Sequence, residues 1–111
     1  MLLKSNIMKK INSKINRGNV SNYIYKITNI LNGNIYIGSS KDPVKRFGNH
    51  IRSRYNRNTR IALELREYNK KTFRMDIIHY CYNDDDPIKL ERCFIIYYIK
   101  SGYNLLNSLA K

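Results

Sequence analysis

The chain has 111 residues, 42% of them hydrophobic, enough for one folded domain with a modest core and too many for a disordered tract. Lysine and arginine number 21 against 8 acids, a net charge of +13, and such an excess repels itself unless a polyanion balances it. Nucleic acid is the first candidate and an anionic membrane surface the second; AT-rich coding, visible in the Lys, Asn, Ile and Tyr content, accounts for part of the charge but not for the shortage of acids.

The first segment, residues 1–21, is basic and weakly periodic and reads as a flexible arm ahead of a single domain over 22–111. It carries too little apolar run for a secretory signal. No stretch of the chain approaches membrane-spanning length. Cys81 and Cys93 match no zinc spacing and form no disulfide framework, so they read as reduced, packed thiols of an intracellular protein.

Tyr23–Asn29 and Ile35–Ser39 are β-rich runs on either side of Asn32-Gly33, a strong hairpin signal. With Asn32 and Gly33 as a two-residue loop, Ile30 pairs with Ile35, Ile27 with Gly38 and Tyr25 with Ser40. Opposed residues share a face. Tyr23, Tyr25, Ile27, Tyr36, Gly38 and Ser40 then lie on one face, and Ile24, Ile30, Ile35 and Ile37 on the other. The isoleucine face is expected to carry the core. The tyrosine face, with Gly38 in it, is the more polar and open to close approach.

Asp42-Pro43 is a cap followed by proline at the first helical position, which predicts a helix from Pro43 to about Tyr55. Val44, Phe47 and Ile51 make its apolar stripe, while Arg46 and His50, four apart, share another face. A second helix follows a cap at Asn58 or Thr59, with Ile61, Ala62, Leu65 and Tyr68 on its apolar side. Phe73, Met75 and Ile77 alternate with Arg74 and Asp76 in a strand. Asp86-Pro87 repeats the start signal and Gly102 the stop for a third helix, which contains Glu91. Its apolar residues run round much of the circumference, so it is expected to be the most buried. The tail from Tyr103 returns to strand or loop. The sum is an α+β fold: a small, mostly antiparallel three-stranded sheet, opened by a β-hairpin and flanked by three helices.

These residues and their order resemble the GIY-YIG nuclease family. The likeness runs from about Asn22 to Asn107. Tyr23-Ile24-Tyr25 matches the first motif with Tyr23 in place of its glycine, and Tyr36-Ile37-Gly38 the second, continued by Ser39-Ser40. Arg46 and His50 fall on the arginine and histidine of the next motif, Asn58 opens the stretch after it, Glu91 falls on the metal-binding glutamate, and Asn104 on the closing asparagine. The resemblance implies a DNA endonuclease that uses one divalent ion, Mg2+ or Mn2+, held by Glu91. Its members include mobile-intron homing endonucleases and phage or viral free-standing nucleases, which suits the AT-rich coding. Arg46 would fork onto phosphate oxygens. Tyr25 or Tyr36 would serve as general base or hold the water, and His50 would orient phosphate or pass a proton. Gly38, Ser40 and Asn104 are candidates for substrate contact. Tyr25, Tyr36, Arg46, His50 and Glu91 are expected to converge on one cleft. Target selectivity would come from the arm, the basic helix faces, or a helper protein or oligomer. The competing reading is a catalytically inactive, nucleic-acid-binding descendant of the fold; tyrosines and arginines are plentiful enough here to serve packing and surface charge alone.

Overall fold

The computed structural model describes residues 19–108, so the arm expected over 1–21 lies almost wholly outside the described residues. Strand β1 (Val20–Asn29) already includes the last two positions of that stretch. It is followed by β2 (Ile35–Ser40), helix α1 (Pro43–Arg52), helix α2 (Arg60–Glu67), a single 3-10 turn (Lys70–Thr72), β3 (Phe73–Tyr82) and helix α3 (Pro87–Lys100). The sheet has the order β2-β1-β3 and all its strand pairs are antiparallel. None of the described helices is long and apolar enough to cross a membrane.

The hairpin closes differently from the two-residue turn that Asn32-Gly33 suggests. Tyr25 opposes Gly38 and Ile27 opposes Tyr36, a register two residues away from the expected one. A slip of two leaves every side chain on its face, because the pleat has a period of two. The loop is instead four residues long: the Asn29 N–H donates to the Asn34 carbonyl (2.9 Å) and the Gly33 N–H to the Asn29 carbonyl (2.8 Å). Gly33 takes the positive φ, +78°, that this turn requires. Ile30 therefore sits in the loop and is exposed, not in the core.

The physical reason lies in four polar side chains. Glu64 of α2 accepts on one oxygen from the side-chain amides of Asn29 (2.9 Å), Asn32 (2.7 Å) and Asn34 (3.1 Å). Asn29 and Asn32 also accept from the backbone N–H groups of Leu31 and Asn34, two residues on, which favours the longer turn. Asn29 is fully buried. Glu64→Ala leaves three amides without their charged acceptor, one of them inside the core. It is expected to cost about 2–3 kcal/mol, read as a lower urea midpoint at unchanged slope, with a smaller loss for Glu64→Gln.

Both faces of the sheet are covered. On one face Tyr25, Ile27 and Phe73 pack with Ile61 and Leu65 of α2 and Leu106 of the tail, flanked by Phe47 and Ile51 of α1. On the other, Ile24, Ile35, Ile37, Cys81 and Leu105 meet Leu90, Phe94, Ile95 and Tyr98 of α3. The core is thus two layers rather than the single isoleucine layer expected. Val44 is 72% exposed and is not part of the α1 stripe; Pro43, Phe47 and Ile51 take the sheet-facing side. Helix α3 contains no fully buried residue, and Ile88, Ile96, Tyr97 and Ile99 face outward. It covers one sheet face from outside and has no layer beyond it among the described residues, so apolar content alone overstated its burial. Cys81 is buried as expected, while Cys93, on α3, is exposed.

The tail closes the free edge of β2. Leu105 bridges Ile35 in parallel, and the Asn107 side chain accepts from the Ile37 N–H (3.0 Å) and donates to the Ile37 carbonyl (2.7 Å). One amide stands in for the backbone of a fourth strand, leaving no unpaired polar group at that point of the edge.

Candidate active site

A cavity of about 710 Å³ opens at this edge, between α1, the α1–α2 connection and the tail; Tyr36, Arg46, His50, Arg57, Glu91 and Asn107 are among the residues that line it. Each arrives by a different local rule. Asp42 caps α1 by accepting from the Lys45 N–H (3.1 Å), and the helix turns Arg46 and His50, one turn apart, toward the cavity. Tyr36 comes from the tyrosine face of β2. Glu91 comes from α3, on the opposite layer, and accepts at Oε1 from the Ser39 hydroxyl (2.9 Å), on the α3-facing side of the edge strand. Because β2 is the edge, a carboxylate from the far layer still reaches the same cavity.

Tyr25 is 1% exposed and stands behind this group. Its Oη lies 3.1 Å from His50 Nε2. Tyr36 meets the His50 ring edge-on at 5.0 Å between centroids, so two phenols and one imidazole form a packed cluster beneath Arg46. Gly38 makes the cluster possible. A Cβ built there would lie 2.4 Å from Tyr25 Cζ and Oη. What approaches Gly38 closely is thus the ring of Tyr25, from directly across the hairpin.

The electrostatics follow from burial. His50 is pushed down to about 4, first by burial and then by the positive charges of Arg46 and Arg57. It is therefore neutral at physiological pH. Tyr25 is held above the usual phenol range by burial, then by Tyr36 and Glu91, with Arg46 pulling the other way through charge and a hydrogen bond. Tyr36 is raised likewise by burial and then Glu91, against Arg46. Both phenols rest protonated, and Arg46 is the group that favours their ionisation.

Tyr36, Arg46, His50 and Glu91 line one cavity, with Tyr25 bonded to His50. Ser40 is outside it and accepts from the Asp42 N–H (3.0 Å), tightening the turn into α1. Asn104 is also elsewhere: its amide donates to Asn34 Oδ1 (3.0 Å) and its carbonyl accepts from the Ile35 N–H (3.1 Å), tying the tail to the hairpin. Asn107, three residues on, is the asparagine of the tail that reaches the cavity, where Asn49 and Asn56 also line it. Arg57 was likewise unforeseen. Neither residue carries a local signal that separates it from the many Asn and Arg of this chain; position in the fold does that.

The family model for the GIY-YIG catalytic domain matches residues 21–104. Among solved structures, the catalytic domain of the homing endonuclease I-TevI superposes with a TM-score of 0.62 at 23% identity, covering 78% of this chain and 99% of that one. A mutant of the catalytic domain of intron endonuclease I-TevI gives 0.64 at 22%, covering 80% and 96%. No curated protein sequence matches. The two structures show that the α+β fold, with its antiparallel three-stranded sheet and three helices, is that of this domain.

Proposed function

Since the chain belongs to the GIY-YIG family of nuclease catalytic domains, we propose that it is a DNA endonuclease that hydrolyses phosphodiesters with one divalent ion at the Glu91 cavity. The observation that carries this reading is the opposition, in one cavity, of Glu91 to Arg46, His50 and Tyr36. Phosphodiester hydrolysis needs those parts: charge for the phosphoryl oxygens, an acceptor for the proton of water, and help for the leaving oxygen.

The residues fit Mg2+ or Mn2+ better than a fully caged metal. No group of three or more His, Cys, Asp or Glu able to hold a metal occurs among the described residues. Glu91 forms no salt bridge among them, and Ser39 fixes one of its oxygens. One carboxylate completed by water and substrate phosphate suits Mg2+, which keeps much of its hydration shell. Bound there, the ion would supply Lewis-acid charge to the phosphoryl and leaving oxygens.

The chain's own residues do the rest. Arg46 forks onto the non-bridging oxygens. Burial is the larger cause of the low His50 basicity and the Arg46 charge the next; the phosphate anion offsets only that second part. His50 both lines the cavity and bonds Tyr25, and the pair accepts the proton of the attacking water as a unit, with Tyr36 packed against the imidazole to fix its plane.

Nicking of supercoiled plasmid in Mg2+ or Mn2+ and its loss in EDTA is the expected result. Tight DNA binding with no cleavage under either metal would instead favour the inactive, nucleic-acid-binding reading.

A further inference from the structure

The cavity holds more positive charge than one phosphate requires. Among the described residues, Arg46, Arg52 and Arg57 line it against the single carboxylate of Glu91, and a divalent ion would enlarge the excess. One phosphodiester carries a single negative charge, so the cavity is matched to more than one phosphate.

The arginines around it differ in what already engages them. Arg52 donates to Asn49 Oδ1 (2.7 Å). Arg54 donates to the Ile51 carbonyl and lies over the Tyr55 ring. Arg60 reaches Asn104 Oδ1 (3.4 Å). Arg66 donates to the Arg57 carbonyl (2.8 Å) and to Asn58 Oδ1 (3.1 Å). The Arg57 side chain makes no hydrogen bond or ion pair among the described residues. Its backbone is held from behind by Arg66, so an uncommitted guanidinium sits on a fixed base, which reduces the entropy lost on binding an anion. Arg57 joins Arg46 in lowering the His50 pKa, so the two guanidiniums come from different elements, α1 and the α1–α2 connection, and both act on one imidazole.

We infer that Arg57 holds a second phosphate of the DNA strand, next to the one engaged by Arg46, and so sets the position of the strand in the cavity. The inference rests on the endonuclease reading. It makes Arg57 a binding and positioning residue, with Arg66 as the brace that keeps its backbone in place.

The test is the salt dependence of binding to a short DNA duplex in EDTA, for the wild type, Arg57→Ala and Arg57→Lys, alongside steady-state cleavage in Mg2+. Losing one phosphate contact reduces the slope of log K against log salt by about 0.9. Arg57→Ala is expected to show that reduction and a KM raised several-fold, a larger effect than any on kcat, with Arg57→Lys restoring most of the slope. An unchanged slope in Arg57→Ala overturns the inference. So does a collapse of kcat at constant KM, which would assign Arg57 to the chemical step. If the wild type cleaves while Arg57→Ala matches it in every respect, only this inference falls; if the wild type neither binds nor cleaves DNA, the endonuclease reading falls and carries this one with it.

Discussion

Arg46→Ala is expected to lower DNA cleavage by about 10²–10³-fold, the range for removing one preorganised donor to a developing oxyanion, while the melting temperature stays near wild type. Arg46 is exposed on α1, and substitutions at such surface positions usually change stability by no more than about 0.5 kcal/mol. The catalytic loss has two sources. In the proposed reaction the guanidinium is the charge that meets the phosphoryl oxygens, and it is also the group that favours ionisation of Tyr25 and Tyr36 against burial. Arg46→Lys keeps a charge but not the fork, so it recovers cleavage only in part.

Glu91→Gln is the companion variant. An amide oxygen can still accept from Ser39, so the tie between α3 and the sheet edge survives while the negative charge disappears. Cleavage should be lost with the fold intact, and extra Mg2+ should not restore it. Quantitative plasmid nicking, with circular dichroism as the control for folding, reads both variants. Wild-type cleavage rates in either variant would remove Arg46 or Glu91 from the site.

Much of this arrangement was readable from local chemistry, and the failures have identifiable causes. The two faces of the hairpin could be assigned because apolar and aromatic residues alternate with period two, and that assignment survives a register error of two. The register itself could not be read, because Asn32-Gly33 suits a tight turn until Glu64, more than thirty residues away, gathers three asparagine amides. Helix starts at Pro43 and Pro87 followed from Asp-Pro, since a cap and a fixed φ act within a few residues. The burial of α3 did not follow, because it depends on whether another layer covers its outer side. Glu91 is marked in the sequence by the family resemblance. That it reaches the cavity from the opposite layer depends on β2 being an edge strand, a property of strand order that no local pattern encodes. Asn107 was invisible for the same reason: its task is to imitate a strand beside Ile37.

Gly38→Ala should impair stability and cleavage together, although it adds one methyl group and touches none of the groups in line for substrate. Gly38 has no positive φ, so the glycine is needed for space rather than for conformation. The added Cβ would fall 2.4 Å from Tyr25 Cζ and Oη and 2.8 Å from Cε2. A ring tip in solvent would swing aside at little cost. This one is 1% exposed and packed with Ile27, Ile61, Leu65 and Leu106. Relief must therefore come from the backbone or the core, an overpacking cost of about 1–3 kcal/mol. Any shift of the ring also moves Oη away from His50 Nε2; if the pair accepts the proton as proposed, misplacement by about 1 Å costs on the order of 10²-fold in rate. Were Gly38 instead open to substrate, the substitution would raise KM and leave stability alone. A double-mutant cycle separates the causes. Tyr25→Phe removes only the hydroxyl and leaves Cζ in the way, so with Gly38→Ala it stays destabilised. Tyr25→Leu shortens the side chain, so Gly38→Ala should cost much less stability in that background, with cleavage still lost. Equal costs of Gly38→Ala with tyrosine or leucine at position 25 would show that the glycine is not there to seat the phenol.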